Sequence, residues 1–168
     1  MLERETVTSV PDAVVVGRAS VTAIAVHAAR SSPLAASYEP APFAAVTIEL
    51  LSRELVVIAP DGEFDIANAH LVGDTIRIAL QRGRRQLIID LRGTTFFDCA
   101  ALNALLRAVA SLRGDPEATV VLAGSQGIVQ RFLALVAVNG LLPVARTRLD
   151  AIEALRARAD RELQAVAT

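Results

Sequence analysis

A single cysteine, Cys99, follows an aspartate in the run Thr94-Thr95-Phe96-Phe97-Asp98-Cys99-Ala100-Ala101-Leu102. A thiol at the start of a helix is a setting for a redox switch, but such switches draw on nearby basic groups or a resolving cysteine. The sequence supplies neither beside Cys99, so a small, partly buried side chain that fills volume is the expectation. Standing alone, Cys99 makes no intramolecular disulfide and no zinc set. Glu63 and Asp65 have the types of a general acid and base, yet no histidine or nucleophile accompanies them, and structural roles are expected. His27 and His70 are too far apart for ligand spacing. Arg82-Gly83-Arg84-Arg85 reads as a solvated loop, and Gly124-Ser125-Gln126-Gly127 lacks the Gly-Lys-Ser/Thr ending of a phosphate loop. No catalytic residue, metal site or cofactor is therefore expected.

Composition narrows the remaining classes. The 168 residues are 53% hydrophobic with a mean hydropathy of +0.45, ample for one buried core. A formal charge of −1 and a pI near 6.1 lack the basic excess that nucleic-acid binding needs. The apolar stretch from Ala13 to Ala29 is broken by Arg18, Ser20, Thr22 and His27, and no run reaches the ~18 residues of a membrane span. A soluble, cytoplasmic protein is the expectation.

The elements that must position Asp98 and Cys99 follow from periodicity. Ser31-Ser32-Pro33, Pro40 and Pro42 mark a linker, which divides an N-terminal extension of residues 1–43, whose pattern leaves a weak strand, a helix or a flexible tail open, from a domain over 44–168. Val46 to Leu51 and Leu55 to Ala59 predict a hairpin. Asp61-Gly62 marks a turn or bulge, and a helix is predicted from Ile66 to Arg82, ended by Gly83, with Leu71, Ile76, Ile78 and Leu80 on it. Gln86 to Leu91 is a short apolar run of the kind buried on both faces, hence a central strand. From Asp98, Leu102, Leu105, Leu106, Val109 and Leu112 form one inward stripe, with Cys99, Asn103 and Arg107 on the other face and Gly114-Asp115-Pro116 as terminator. Thr119 to Ala123 is another strand, Ser125 a helix cap for a segment to about Val138, and Leu142 to Ala145 a last short strand. Thr147 caps a helix over Arg148 to about Val166 with Leu149, Ile152, Leu155 and Leu163 inward. The order ββαβαβα(β)α predicts an α/β fold with a mixed sheet of about four to five strands.

Three segments in this order carry a resemblance: Gly62-Glu63-Phe64-Asp65, Leu87-Ile88-Ile89-Asp90-Leu91, and Thr95-Phe96-Phe97-Asp98-Cys99-Ala100-Ala101-Leu102. They resemble the successive signatures of STAS domains of the anti-sigma-factor antagonist type, over roughly Ala44 to Val166. The resemblance implies a non-enzymatic switch that docks on a GHKL-type anti-sigma factor, whose kinase activity phosphorylates a serine at a helix N-terminus. Phosphate there would add about −1.5 to −2 charge among unpaired N–H groups. In this chain Cys99 holds that serine's position, Ala100 the following Ser/Thr position and Ala101 the usual glycine. Thr94 and Thr95 lie on the other side of Asp98, out of register.

The residues expected to meet a partner are therefore Asp98, Cys99, Ala100, Asn103 and Arg107, with Asp98 also capping the helix and Phe97 supporting the loop. A different class of reading makes the domain a non-phosphorylated STAS subunit of a transport complex or larger signalling assembly. A third, ranked last, is a thiol-based redox sensor.

Overall fold

The computed structural model describes residues 21–22, 44–112, 115 and 118–166. Of the N-terminal extension, only Val21–Thr22 falls within these residues, as strand β1; the linker over 31–42 lies outside them. The predicted hairpin is β2, Ala44–Leu50, against β3, Leu55–Phe64. Ser52 closes its turn by accepting from the backbone N–H groups of Glu54 and Leu55. The remaining elements are α1 (Ala69–Gln81), β4 (Gln86–Asp90), β5 (Thr94–Phe97), α2 (Cys99–Ala110), β6 (Thr119–Ala123), α3 (Gly127–Leu135), β7 (Val144–Ala145) and α4 (Arg148–Val166).

The sheet is mixed and α/β as expected, but among the described residues it has seven strands rather than four to five, in the order β1-β2-β3-β4-β6-β7 with β5 beside β3. The predicted last strand is the two-residue β7, and two strands are additional: β1, a two-residue edge piece, and β5, which comes from a segment read as loop. It forms because β3 is ten residues long and changes neighbour: Leu55 to Ile58 pair in parallel with β4, and Gly62 to Phe64 pair in parallel with β5. Pro60, which has no N–H to donate, stands between the two pairings, and the register shifts at Gly62/Glu63. The buried Thr94 hydroxyl donates to the Pro60 carbonyl at 2.9 Å, fixing the crossing point.

Alternation along the strands sorts the core into two layers. Val56 and Ile58, Leu87 and Ile89, and Val120 and Leu122 face α1, α2 and α3, whereas Leu55, Val57, Ile88 and Val121 face Ala151 and Leu155 of α4. Within the first layer α1 and α2 approach closely, since a Cβ on Gly73 would stand 3.2 Å from the Ala104 carbonyl oxygen. On α2 the buried residues are Ala101, Leu102, Leu105 and Ala108; Leu106, Val109 and Leu112 of the expected stripe are only half-buried at its margin.

Several boundaries differ from expectation for local reasons. Helix α1 starts at Ala69, not Ile66, because the Asp65 carbonyl accepts from the N–H groups of both Asn68 and Ala69 and folds 66–68 into a turn. Its end is as predicted: Gly83 adopts φ +77°, its N–H reaches Leu80 O and that of Arg84 reaches Ala79 O, a Schellman closure. Ser125 is not the cap of α3; Gln126 occupies that position without a side-chain bond. The helix stops at Leu135 because Ala137 turns left-handed at φ +51°, and the chain continues as a 3-10 turn over Val138–Gly140. Helix α2 ends at Ala110, while Gly114 and Pro116, its expected terminators, lie outside the described residues. Thr147 does cap α4: its hydroxyl accepts from the Asp150 N–H and the Asp150 carboxylate accepts from the Thr147 N–H, both at 3.1 Å. Leu149, expected inward, is 62% exposed, and Ala151 takes the inner position instead; the side chain of Leu163 lies outside the described residues.

The basic run is absorbed by structure. Arg84 donates to the Arg53 carbonyl, and Arg85 reaches the Leu80 carbonyl and the Asp115 carboxylate.

Leu105 is wholly buried between α2 and the sheet. Leu105→Ala is expected to lower unfolding free energy by ~2–5 kcal/mol, and Leu149→Ala to change it by less than ~0.5 kcal/mol, both read from urea denaturation midpoints.

Candidate functional site

The site begins where β3 ends. Phe64 is fully buried, and its ring stands 6.5 Å from that of Phe97 at an interplanar angle of 52°. The Asp98 N–H donates to the Phe64 carbonyl at 3.1 Å, so the β3–β5 ladder continues into the first residue before α2. Asp98 then caps the helix, its carboxylate accepting from the Ala101 N–H at 2.9 Å. The turn after β3 is tied to the same place by the buried Asn68. Its side chain donates to the Glu63 carbonyl at 2.8 Å and accepts from the Asp65 N–H at 2.9 Å. Asp65 in turn accepts from the Ala67 N–H at 2.7 Å. Glu63 and Asp65 thus flank a structural turn.

Of the five residues expected to meet a partner, four lie on α2 and Asp98 is its N-cap. Cys99, Asn103 and Arg107 are exposed at i, i+4 and i+8, Asp98 is half-buried in its capping role, and Ala100 is half-buried against the core. Cys99 is therefore not the partly buried filler that its residue type suggested. It is the first residue of α2, where side chains point away from the sheet. Of the neighbouring hydroxyls, that of Thr94 is buried and bonded to Pro60, and Thr95 is exposed on β5.

Beside Cys99 lies a feature that the sequence reading missed. A cleft of about 210 Å³ opens between the start of α2 and α3, lined by Phe96, Phe97, Asp98, Cys99, Ile128, Val129 and Phe132. Phe96 is 40% and Ile128 61% exposed. Strand geometry explains its lip: adjacent residues of β5 point to opposite faces, so Phe97 in the core leaves Phe96 outside it.

A second arrangement closes the neighbouring strand ends. Asp90, buried at the end of β4, takes three contacts from the side chain of Arg92, the shortest 2.7 Å. The bond to Asp90 and the charge of that carboxylate raise the Arg92 pKa above its ordinary value. Gly124, at φ +71°, lets the pair close, since a Cβ there would stand 2.5 Å from Arg92 Cγ. This ion pair fixes the loops after β4 and β6, so the anion-binding potential of Arg92 is already spent on Asp90.

A long strand that hands its end to a capped helix, with an exposed residue at the first helical position, is the arrangement of a STAS domain. The STAS domain family model matches residues 47–151, and the chain belongs to that family. Among solved structures, an anti-sigma factor antagonist from Mycobacterium paratuberculosis is 22% identical, with 69% of this chain and 95% of that chain covered and a TM-score of 0.59. The anti-sigma factor antagonist SpoIIAA in its unphosphorylated form is 21% identical, with 67% and 97% covered and a TM-score of 0.58. The phosphorylated form of SpoIIAA, described as a Bacillus cell fate determinant, is 20% identical, with 66% and 99% covered and a TM-score of 0.52. A search of curated protein sequences finds no match. Among the described residues no helix is long and apolar enough to cross a membrane, and no group of three or more His, Cys, Asp or Glu is placed to hold a metal ion.

Removing the cap tests how the helix start is held. Asp98→Ala is expected to cost about 0.5–2 kcal/mol of stability, whereas Asn103→Ala, exposed and bonded to nothing that fixes the fold, should cost less than ~0.5 kcal/mol; thermal unfolding of the two variants side by side checks both.

Proposed function

We propose that this protein is an anti-sigma-factor antagonist of the STAS type. In this reading it acts in the cytoplasm by binding a GHKL-type anti-sigma factor, and it performs no catalysis of its own. The contact is made by the outward line of α2, Cys99, Asn103 and Arg107, together with the half-exposed Asp98 and Ala100 at its start. The observation that carries the reading is the exposed Cys99 at the first position of a capped helix in a STAS fold, the place where the family resemblance puts the phosphorylated serine.

The chemistry at that position is changed. A kinase transfers phosphate to a hydroxyl, and a thiol is not its ordinary acceptor, so the charge of about −1.5 to −2 that a phosphoserine would bring does not arise at Cys99. Docking would then be constitutive or governed from elsewhere. The same substitution favours one second reading: a permanent STAS subunit of a transport complex or signalling assembly, in which phosphorylation was never needed.

Affinity purification of the tagged protein from its host is expected to recover a GHKL-type anti-sigma factor, and Arg107→Glu to lose at least about tenfold in affinity for it, ~1.4 kcal/mol. The purified partner with ATP should leave Cys99 unmodified by mass spectrometry. Recovery of a membrane ATPase or a multi-subunit particle instead transfers the function to the second reading, and recovery of neither ends the antagonist reading.

A further inference from the structure

The cleft beside Cys99 continues along α3. Ile128, Phe132 and Leu135 recur at i, i+4 and i+7; Ile128 is 61% and Leu135 85% exposed, and Phe132 is half-buried. With Phe96 this makes one apolar strip spanning the start of α2 and the outer side of α3, and no element of the described residues packs over it.

Charge at the Phe96 end of the strip is negative. The parallel register sets Glu63 beside Phe96, and Asp65 follows in the turn. Asp61, Glu63, Asp65 and Asp98 make no ion pair among the described residues, as is also true of Glu54, Glu153 and Asp160 elsewhere. No lysine or arginine occurs from Asp61 to Ile76 or from Gly93 to Leu106, although the whole chain is nearly neutral. Arg92 is held by Asp90. Arg107 stands about two turns along α2, and Arg131 is exposed on α3 between Ile128 and Leu135, at the margin of the strip.

We infer that this cleft is the second half of the docking surface. It receives one bulky aliphatic or aromatic side chain of the anti-sigma factor, from a segment whose neighbouring arginines or lysines meet Glu63 and Asp65. The identity of the partner rests on the reading above; the chemistry of the contact rests on the cleft. An apolar anchor in a pocket supplies affinity, and the unpaired carboxylates set orientation and association rate.

Cys99 is the one cysteine of the chain and lines the cleft, so it reports on occupancy without any mutation. The full-length protein, free and in complex with the purified anti-sigma factor, is treated with iodoacetamide, and alkylation of Cys99 is followed by mass spectrometry. Alkylation is expected to slow about tenfold or more in the complex. Ile128→Glu should weaken binding at least about tenfold, Glu63→Arg should weaken it and flatten its dependence on salt, and Leu149→Glu, on α4, should leave it unchanged. Circular dichroism and melting temperature of each variant confirm an intact fold. If Ile128→Glu binds as the wild type does, the inference is overturned, even with the thiol shielded by contacts to α2 alone. A complex in which Cys99 reacts at the free rate overturns it equally, while leaving the antagonist reading in place. If no anti-sigma factor binds at all, both fall.

Discussion

The structure depends on the partner exchange of β3. Its first half needs β4 on one side to close the central sheet, and its last three residues need β5. Both demands are met by one uninterrupted backbone with a proline and a bulge at the crossing. Because Phe64 O receives the Asp98 N–H, the position of α2 is set by a main-chain hydrogen bond at the buried end of the longest strand. Loop side chains then only reinforce it. The candidate surface is thus hung on the core, which keeps the outward line of α2 in a fixed orientation.

Two consequences meet at Cys99. The helix start presents an exposed side chain next to a capped backbone, a position suited to switching by added charge, yet the thiol is a poor acceptor for that charge. Next to it the surface turns apolar, with Phe96 and Ile128 open to solvent, and negative, with Glu63 and Asp65 unpaired. What the site lacks in switching chemistry it holds in contact area and steady charge.

Much of this was legible in the residues. The alternation of β3, β4 and β6 was visible as short apolar runs, and the cap at Asp98 and the capping box at Thr147 were readable from residue type and spacing. Thr94 to Phe97 was not readable as strand, because its four residues carry no period of their own and pair only where β3 has outlived its first neighbour. The helix over 66–68 failed against a turn built by Asp65 and Asn68, a competition between side-chain and helical bonds that propensity does not resolve. Ala151 and Leu155, one turn apart, face the sheet on α4, which turns Leu149 outward, and which face packs is decided by contacts with β3, β4 and β6 distant in sequence. The cleft was missed because it is assembled from β5, α2 and α3, and no single segment carries its pattern.

Helix α4 covers the second sheet face alone, and among the described residues only Ala151 and Leu155 of it are fully buried. Its first turn is moored to β2 by Arg148 and Glu49 at 2.6 Å. Beyond Leu155, Arg156, Asp160 and Arg161 are exposed, and Arg158 reaches the Thr119 hydroxyl of β6. Backbone amides of the far end of α4 should therefore exchange with solvent deuterium by local opening, while those of β3 and β4 exchange only when the whole domain unfolds. The part that opens first then lies on the side of the sheet opposite the proposed docking surface.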